Sequence, residues 1–171
     1  ERKRLEHQLA QALEKLESER GFLKALVRTI PSLVWMKDPE GVYLACNAEF
    51  ELFFGHPESA IVGKTDYDFM DRDLAEFFRG HDRAAMAAGR PTVNEEWITY
   101  ASDGHRAYLV TTKTPMYRPD GSVIGVLGIA QDITAMRRQE EALHESRETL
   151  ERAQAVAHVG SWVLDIAADR L

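Results

Sequence analysis

The sequence predicts an α+β domain, with a five-stranded antiparallel sheet, helices on one face, and coiled-coil helices flanking it at the N- and C-terminal ends. Residues 1–30 contain no proline and carry a heptad pattern. Five strand-like segments separated by turns follow Pro31, and a heptad pattern returns after Thr134. Two strands, a helical insert and three further strands are typical of one sheet that buries a single face against helices.

The first segment, residues 1–30, is predicted to form a coiled-coil helix. Polar residues fill most positions outside a seam with four-three spacing, and Glu19 interrupts that seam. The seam residues are Leu5, Leu9, Ala12, Leu16, Leu23, Leu26 and Ile30. A repeat of 3.5 residues favours pairing between helices of two chains. A single amphipathic helix lying on its own domain is the alternative.

The central segment, residues 31–134, is predicted to form the sheet and its helices. Pro31 disfavours helix in the residue before it, and Asn47 is expected to cap a helix that Gly55 ends. Turn sequences at residues 38–41, 102–104 and 119–121 separate the strands. The predicted strands are residues 33–36, 42–46, 92–101, 106–117 and 123–133, and the predicted later helices are residues 57–62 and 71–88.

The C-terminal segment, residues 135–157, is predicted to form a second heptad helix. Met136, Leu143 and Leu150 are one heptad apart, but polar residues at the intermediate seam positions make this seam weaker than the first. A single linker helix is the alternative. Residues 158–171 contain a Trp-x-x-Asp sequence like the one that begins at Trp35, and they are predicted to be the truncated start of a second domain, with an unstructured tail as the alternative.

Charge and composition exclude several classes of function. The 171 residues carry a formal net charge of -7, and residues 31–134 alone hold 16 acidic and nine basic side chains. An acidic domain is unsuited to nucleic acid or to an anionic membrane surface. No apolar run approaches the roughly 20 residues of a membrane-spanning helix. Because Cys46 is the single cysteine, we expect a reducing, cytoplasmic location.

The central segment resembles a PAS domain. The features that carry the resemblance are the Asp-x-x-Gly turn, the Asn-capped helix, the long second helix, the three strands and the closing sequence Asp132-Ile133-Thr134. Residues 34–47, 63–69 and 94–97 are similar to PAS modules of bacterial sensor histidine kinases and of cyclic-di-GMP (GGDEF/EAL) proteins. The resemblance implies a cytoplasmic sensory and dimerisation module. Such a module binds a small ligand or partner and relays the signal through its C-terminal helix to a kinase or diguanylate cyclase output domain.

The resemblance also implies a pocket between the sheet and the helices, with Asp132, Ile133 and Thr134 relaying the signal. Strand alternation predicts that Lys113 points into this pocket if its face is the concave one. A buried ammonium group then requires Asp66, Asp68 or an acidic ligand, whereas a flipped strand or a side chain extended to the rim is the alternative. The expected pocket residues, for which plain core packing is the alternative, are Trp35, Asn47, Phe54, Asp66, Trp97, Thr99, Leu109, Thr111, Lys113, Gly128 and Ala130.

Neither catalysis nor a metal site is expected in this chain. It has no glycine-rich phosphate loop, no His-Glu-x-x-His and no Gly-x-Ser-x-Gly, and its six histidines lack ligand spacing. Heme bound through His81 is not favoured, because a solvent-facing histidine explains that residue. A flavin adduct is not expected, because Cys46 precedes Asn47 instead of following it. The open alternatives are a ligand-free dimerisation spacer and a heme-based redox or gas sensor.

Overall fold

The computed structural model describes residues 2–157 and confirms the predicted five-stranded antiparallel sheet. The strands are β1 (Leu33–Lys37), β2 (Tyr43–Cys46), β3 (Thr92–Thr99), β4 (Arg106–Tyr117) and β5 (Val123–Asp132). The helices are α1 (Arg2–Arg28), α2 (Ala48–Phe54), α3 (Glu58–Ile61), α4 (Arg72–Ala88) and α5 (Thr134–Ala157), with a short 3₁₀ helix at Asp66–Asp68. Contacts divide the chain into one unit that ends at Ile133 and a second that begins at Thr134.

The strand order β2-β1-β5-β4-β3 brings the first strand of the sheet beside the last. Every neighbouring pair is antiparallel. Gly128 of β5 lies opposite both Trp35 of β1 and Lys113 of β4. Residues far apart in sequence therefore form one row across the centre of the sheet.

The inner face of the sheet packs against α2, α3, α4 and the 3₁₀ helix. Aromatic rings of α2 make up much of this core, with the ring centroids of Phe50 and Phe54 4.7 Å apart. Apolar side chains from the strands and α3 complete it, including Leu33, Tyr43, Ile61, Ile98 and Leu109. Burial of these side chains is the main stabilising contribution to the domain.

Side-chain caps fix where the inner helices begin and end. Asn47 accepts a hydrogen bond from the backbone N–H of Phe50, and Asp71 accepts one from that of Leu74. Gly55 and Gly89 end the two helices in the left-handed conformation. The side-chain oxygen of Asn47 also accepts from the N–H of Val34 at 3.0 Å, so one residue ties α2 to β1.

Helix α1 leaves its apolar seam on the surface. Leu9, Leu16 and Leu23 are each more than 60% exposed. Together with Val34 and Leu127 on the outer face of the sheet, the C-terminal half of α1 borders an open groove of about 400 Å³. The single chain thus leaves much of the seam uncovered.

In the second unit, α5 carries its heptad leucines on the surface, with Leu143 and Leu150 more than half exposed. The predicted start of a second domain at residues 158–171 lies outside the described residues. Within residues 2–157, no helix combines the length and the apolar character that crossing a bilayer requires.

Candidate functional site

A small cavity lies between the inner face of the sheet and α2 and α4. Its volume is about 20 Å³, which is room for roughly one water molecule. Its apolar walls are Leu33, Trp35, Phe50, Phe53, Phe78, Ile98, Leu109 and Ala130. Its polar lining is Lys37, Tyr43, Asp66, Glu96, Thr111 and Lys113. Charged groups in such an enclosed place require partners.

Four buried side chains at one end of the cavity form a charge cluster of two lysines and two aspartates. The Nζ atom of Lys37 lies 2.6 Å from Oδ2 of Asp66 and 3.0 Å from Oδ2 of Asp82. The Nζ atom of Lys113 lies 2.6 Å from Oδ1 of Asp82 and donates to the backbone oxygen of Phe78 at 3.0 Å. All four side chains are at most 1% exposed.

The four members of this charge cluster come from four different elements. Lys37 ends β1 and Lys113 lies in the middle of β4, both on the inner face. Asp82 lies one helical turn beyond Phe78 on the buried side of α4. Asp66 begins the 3₁₀ helix, which a capping box between Thr65 and Asp68 holds in place. The cluster therefore joins the sheet to both of these helical segments.

The environment shifts the pKa values of three groups here. Burial acts to raise the pKa of Asp82, but the charges of Lys37 and Lys113 outweigh it and leave this pKa below its ordinary value. Burial lowers the pKa of Lys113, and the charge of Asp82 opposes that shift. Burial and then the Asp66 carboxylate raise the pKa of Tyr43 well above its ordinary value. Tyr43 accordingly donates its O–H to Asp66 Oδ1 at 2.6 Å.

A third cation, Arg79, lies beside the cluster. Its Nη1 atom is 3.9 Å from Oδ2 of Asp82 and, within the described residues, has no hydrogen-bond partner. Its Nη2 atom donates to the backbone oxygen of Pro39 at 3.4 Å. The guanidinium occupies the space that a side chain at Gly41 would need, and Gly41 also has a φ of +89°. Glycine at this position therefore makes room for Arg79.

A second polar group lies across the cavity on β3 and β4. Thr111 Oγ1 donates to Glu96 Oε1 at 2.9 Å, and Asn94 Nδ2 donates to Glu96 Oε2 at 2.6 Å. On β1, the indole N–H of Trp35 is buried and has no partner among the described residues. The cavity is thus apolar along its sides and polar at two places.

Six of the predicted pocket residues line the cavity. They are Trp35, Asp66, Leu109, Thr111, Lys113 and Ala130. Their role in ligand binding stays a prediction.

Three other predicted pocket residues, Asn47, Phe54 and Gly128, lie in the surrounding core instead. Asn47 uses its amide for backbone hydrogen bonds to β1 and α2. Phe54 stacks on Phe69 with ring centroids 4.5 Å apart. The indole ring of Trp35 occupies the space above Gly128, so this glycine makes room for a tryptophan.

The prediction that Trp97 and Thr99 line the pocket is wrong. Side chains alternate along β3, so Glu96 and Ile98 point inward while Trp97 and Thr99 point outward. Trp97 is 50% exposed, and its ring packs against Tyr108 of the neighbouring strand.

Lys113 has a different partner from those predicted for it. Its carboxylate partner is Asp82, whereas Asp66 pairs with Lys37, and Asp68 is an exposed member of the capping box. The sequence prediction missed Lys37 and Asp82. Periodicity indicates only that both residues lie on buried faces, since Lys37 is two residues beyond the buried Trp35 and Asp82 shares the buried side of α4 with Phe78.

The predicted relay residues follow the end of the sheet. Asp132 pairs with Leu109 at the end of β5, and the N–H of Ile133 donates to the backbone oxygen of Tyr108 at 2.9 Å. Helix α5 begins at Thr134. Because β5 is hydrogen bonded to both β1 and β4, its end is continuous with the strands that carry the two buried lysines.

The cofactor candidates lie outside the cavity lining. His81 is partly exposed and contacts the ring of Phe77, with centroids 4.6 Å apart. Cys46 is a buried residue at the end of β2, and burial raises the pKa of its thiol to about 12. Within residues 2–157, no group of three or more His, Cys, Asp or Glu side chains is arranged to hold a metal ion. The expectations about heme and flavin stay predictions.

Comparison with known proteins identifies the family. The family model described as "PAS fold" matches residues 27–138. The chain belongs to the PAS family. It is 31% identical over 120 residues to the methanogenesis regulatory histidine kinase FilI of Methanothrix harundinacea, a match that covers 70% of this chain and 13% of FilI. It is 29% identical over 117 residues to a diguanylate cyclase of Vibrio cholerae, covering 68% of this chain and 36% of that enzyme.

A solved structure of the phage VqmA–DPO complex has the same fold. The TM-score is 0.61 and the identity is 26%, with 78% of this chain and 62% of that chain covered. The chain thus spans only part of each of these proteins. It is a PAS sensory domain of the kind present in histidine kinases and diguanylate cyclases.

Proposed function

We propose that this cytoplasmic PAS domain binds a small molecule in the cavity beneath the sheet and relays binding through α5 to a histidine kinase or diguanylate cyclase output domain. The observation that carries the proposal is the buried cluster of Lys37, Asp66, Asp82 and Lys113 at one end of a cavity whose side walls are apolar. Apolar walls with a few convergent polar groups are typical of small-molecule sites. The phage VqmA complex with DPO supports a ligand role for a chain of this fold.

The relay follows from how the cluster is tied to the sheet. Lys113 is opposite Gly128 of β5, and Lys37 is opposite Val126 of the same strand. A ligand that moves either lysine shifts the position of β5, which ends at Asp132. Ile133 then joins this strand to α5. Interfaces of this kind tend to switch between discrete packings, so a small shift biases the orientation or register of the outgoing helix.

Dimerisation allows such a shift of the outgoing helix to reach an output domain. The exposed seam leucines of α1 and α5 are suited to parallel pairing with a second copy. In a two-chain assembly, a change in one outgoing helix biases the other. The proposed partners are a second copy of the chain and its own output domain, with no nucleic acid, no membrane contact in this segment and no resident cofactor. Kinase or cyclase chemistry belongs to the output domain.

A second candidate is a ligand-free dimerisation spacer. It is favoured by the cavity volume of about 20 Å³, which already excludes anything larger than roughly one water molecule unless a wall side chain moves. The exposed seam of α1 fits either candidate. A heme-based redox or gas sensor is the third candidate function, and it requires a coloured protein.

Native mass spectrometry separates these candidates. The ligand-sensing proposal predicts a dimer that carries an additional small mass, lost on denaturation, and a colourless solution. A dimer of bare chains that remains bare after incubation with cell extract would favour the spacer and contradict ligand sensing. A porphyrin mass with visible absorbance would instead assign the heme function.

A further inference from the structure

The formal charges around the cavity cancel. The charged side chains that line it are Lys37, Lys113, Asp66 and Glu96, which is two cations and two anions. The buried Asp82 and Arg79 contact this set and add one charge of each sign. The site is therefore neutral before any ligand enters, and Lys113 does not need the acidic ligand that the sequence prediction offered it.

Hydrogen-bonding capacity remains on both sides of the cavity. An ammonium group has three N–H donors, and among the described residues Lys37 and Lys113 each use two in hydrogen bonds. The buried indole N–H of Trp35 has no partner there. Each carboxylate oxygen of Glu96 accepts one hydrogen bond and retains a free lone pair. The cavity thus offers donors at the lysine end and an acceptor at Glu96.

Building on the proposed ligand-sensing function, we propose that the cavity selects a small uncharged molecule that accepts a hydrogen bond from Lys113 and donates one to Glu96. A primary amide or a hydroxylated ring has this pair of groups. A carboxylate or phosphate ester does not, and it leaves the enclosed site with an uncompensated negative charge, which is costly in a low-dielectric interior. Because the cavity has room for roughly one water molecule, even a one-ring ligand must displace a wall side chain, and each further atom adds to that cost.

Matched amide and carboxylate probes test the selectivity. The isotope-labelled chain is titrated with acetamide, acetate, benzamide and benzoate up to their solubility limits. NMR chemical shifts of the backbone N–H groups of Thr111 and Lys113 report binding. The amides are expected to bind at least about tenfold more tightly than the carboxylates of the same size. Equal or tighter binding of the carboxylates overturns the ligand class but leaves ligand sensing intact. No shift at these residues with any of the four probes overturns the ligand class, and the presence or absence of an added small mass in native mass spectrometry then decides ligand sensing separately.

Glu96→Gln tests whether charge balance causes the selectivity. The substitution keeps the size and one acceptor oxygen of the side chain but gives the cavity a net positive charge, so the ratio of benzamide to benzoate affinity should fall at least about tenfold. Glu95→Gln is the matched control, because Glu95 is exposed on the opposite face of the same strand and should keep the wild-type ratio. An unchanged ratio in a folded Glu96→Gln variant contradicts the proposal. The wild-type comparison requires no variant and decides the question if Glu96→Gln does not fold.

Discussion

Asp82→Asn removes the carboxylate that both buried lysines share. Asp82 is fully buried, and its two oxygens lie 2.6 Å from Lys113 and 3.0 Å from Lys37. Lys37 retains the Asp66 carboxylate, but among the described residues Lys113 keeps no carboxylate partner, only the backbone oxygen of Phe78 and at most the amide oxygen of the new asparagine. The same-sized asparagine isolates the effect of the charge from that of packing.

Breaking a buried ion pair by removing one partner costs about 3–5 kcal/mol. Because asparagine still offers one acceptor oxygen to a lysine, we expect a loss near the lower end, about 3 kcal/mol. That is a large part of the roughly 5–15 kcal/mol that stabilises a typical domain. For a sheet domain of this size, the midpoint of thermal unfolding should fall by about 12 °C or more.

Urea unfolding followed by circular dichroism measures this loss. Asp73→Asn is the matched control, since Asp73 is an exposed residue in the first turn of the same helix, α4, and its loss should cost well under about 1 kcal/mol. Adding Lys113→Met to Asp82→Asn removes the unpaired ammonium and should recover part of the stability. If Asp82→Asn costs less than about 1 kcal/mol, or if the double variant is no more stable than the single one, the cluster does not hold the cavity together as argued.

Three further predictions concern acid stability, the packing of the sheet and the relay. The pKa of Asp82 is lower in the folded chain than in the unfolded chain, so its ionised form stabilises the fold. The difference in unfolding free energy between wild type and Asp82→Asn should therefore be largest above about pH 5 and shrink as the pH falls below that value. A difference that grows on acidification in a urea series would contradict this. Gly128→Ala should destabilise the fold by about 1–3 kcal/mol, because the new methyl group would clash with the Trp35 ring. Gly80→Ala is the control, since its methyl group would contact none of the described residues, and it should be neutral or stabilising by up to about 1 kcal/mol in the same assay. Asp132→Ala, at an exposed strand end, should leave the unfolding midpoint near that of wild type but abolish ligand control of the output in the full-length protein, and an unchanged response would refute the relay.

Local sequence signals predicted most of the fold. Asn47 and Gly55 marked both ends of α2, because caps depend on a few adjacent residues. The turns at Asp38 to Gly41 and Asp120 to Gly121 each separated two strands that are hydrogen-bonded neighbours in the sheet. These features need no knowledge of the tertiary structure.

The site was only partly predictable, because its geometry depends on which face of each element is buried. Alternation along β4 correctly grouped Leu109, Thr111 and Lys113, since a strand has only two faces. Trp97 was misplaced because its aromatic character suggested the core, whereas its ring packs on the outer face against Tyr108. Burying an aspartate such as Asp82 is favourable only when lysines from other elements meet it, and sequence spacing within α4 does not encode that meeting.

Crystals of the full chain grown with benzamide show whether the cavity between the sheet and the helices is the ligand site. We expect electron density for the ring inside the cavity, with the amide between Lys113 Nζ and the Glu96 carboxylate and with at least one wall side chain, such as that of Phe78, displaced. A cavity that still holds at most a water molecule, with its walls unmoved and the probe bound elsewhere or not at all, would contradict it.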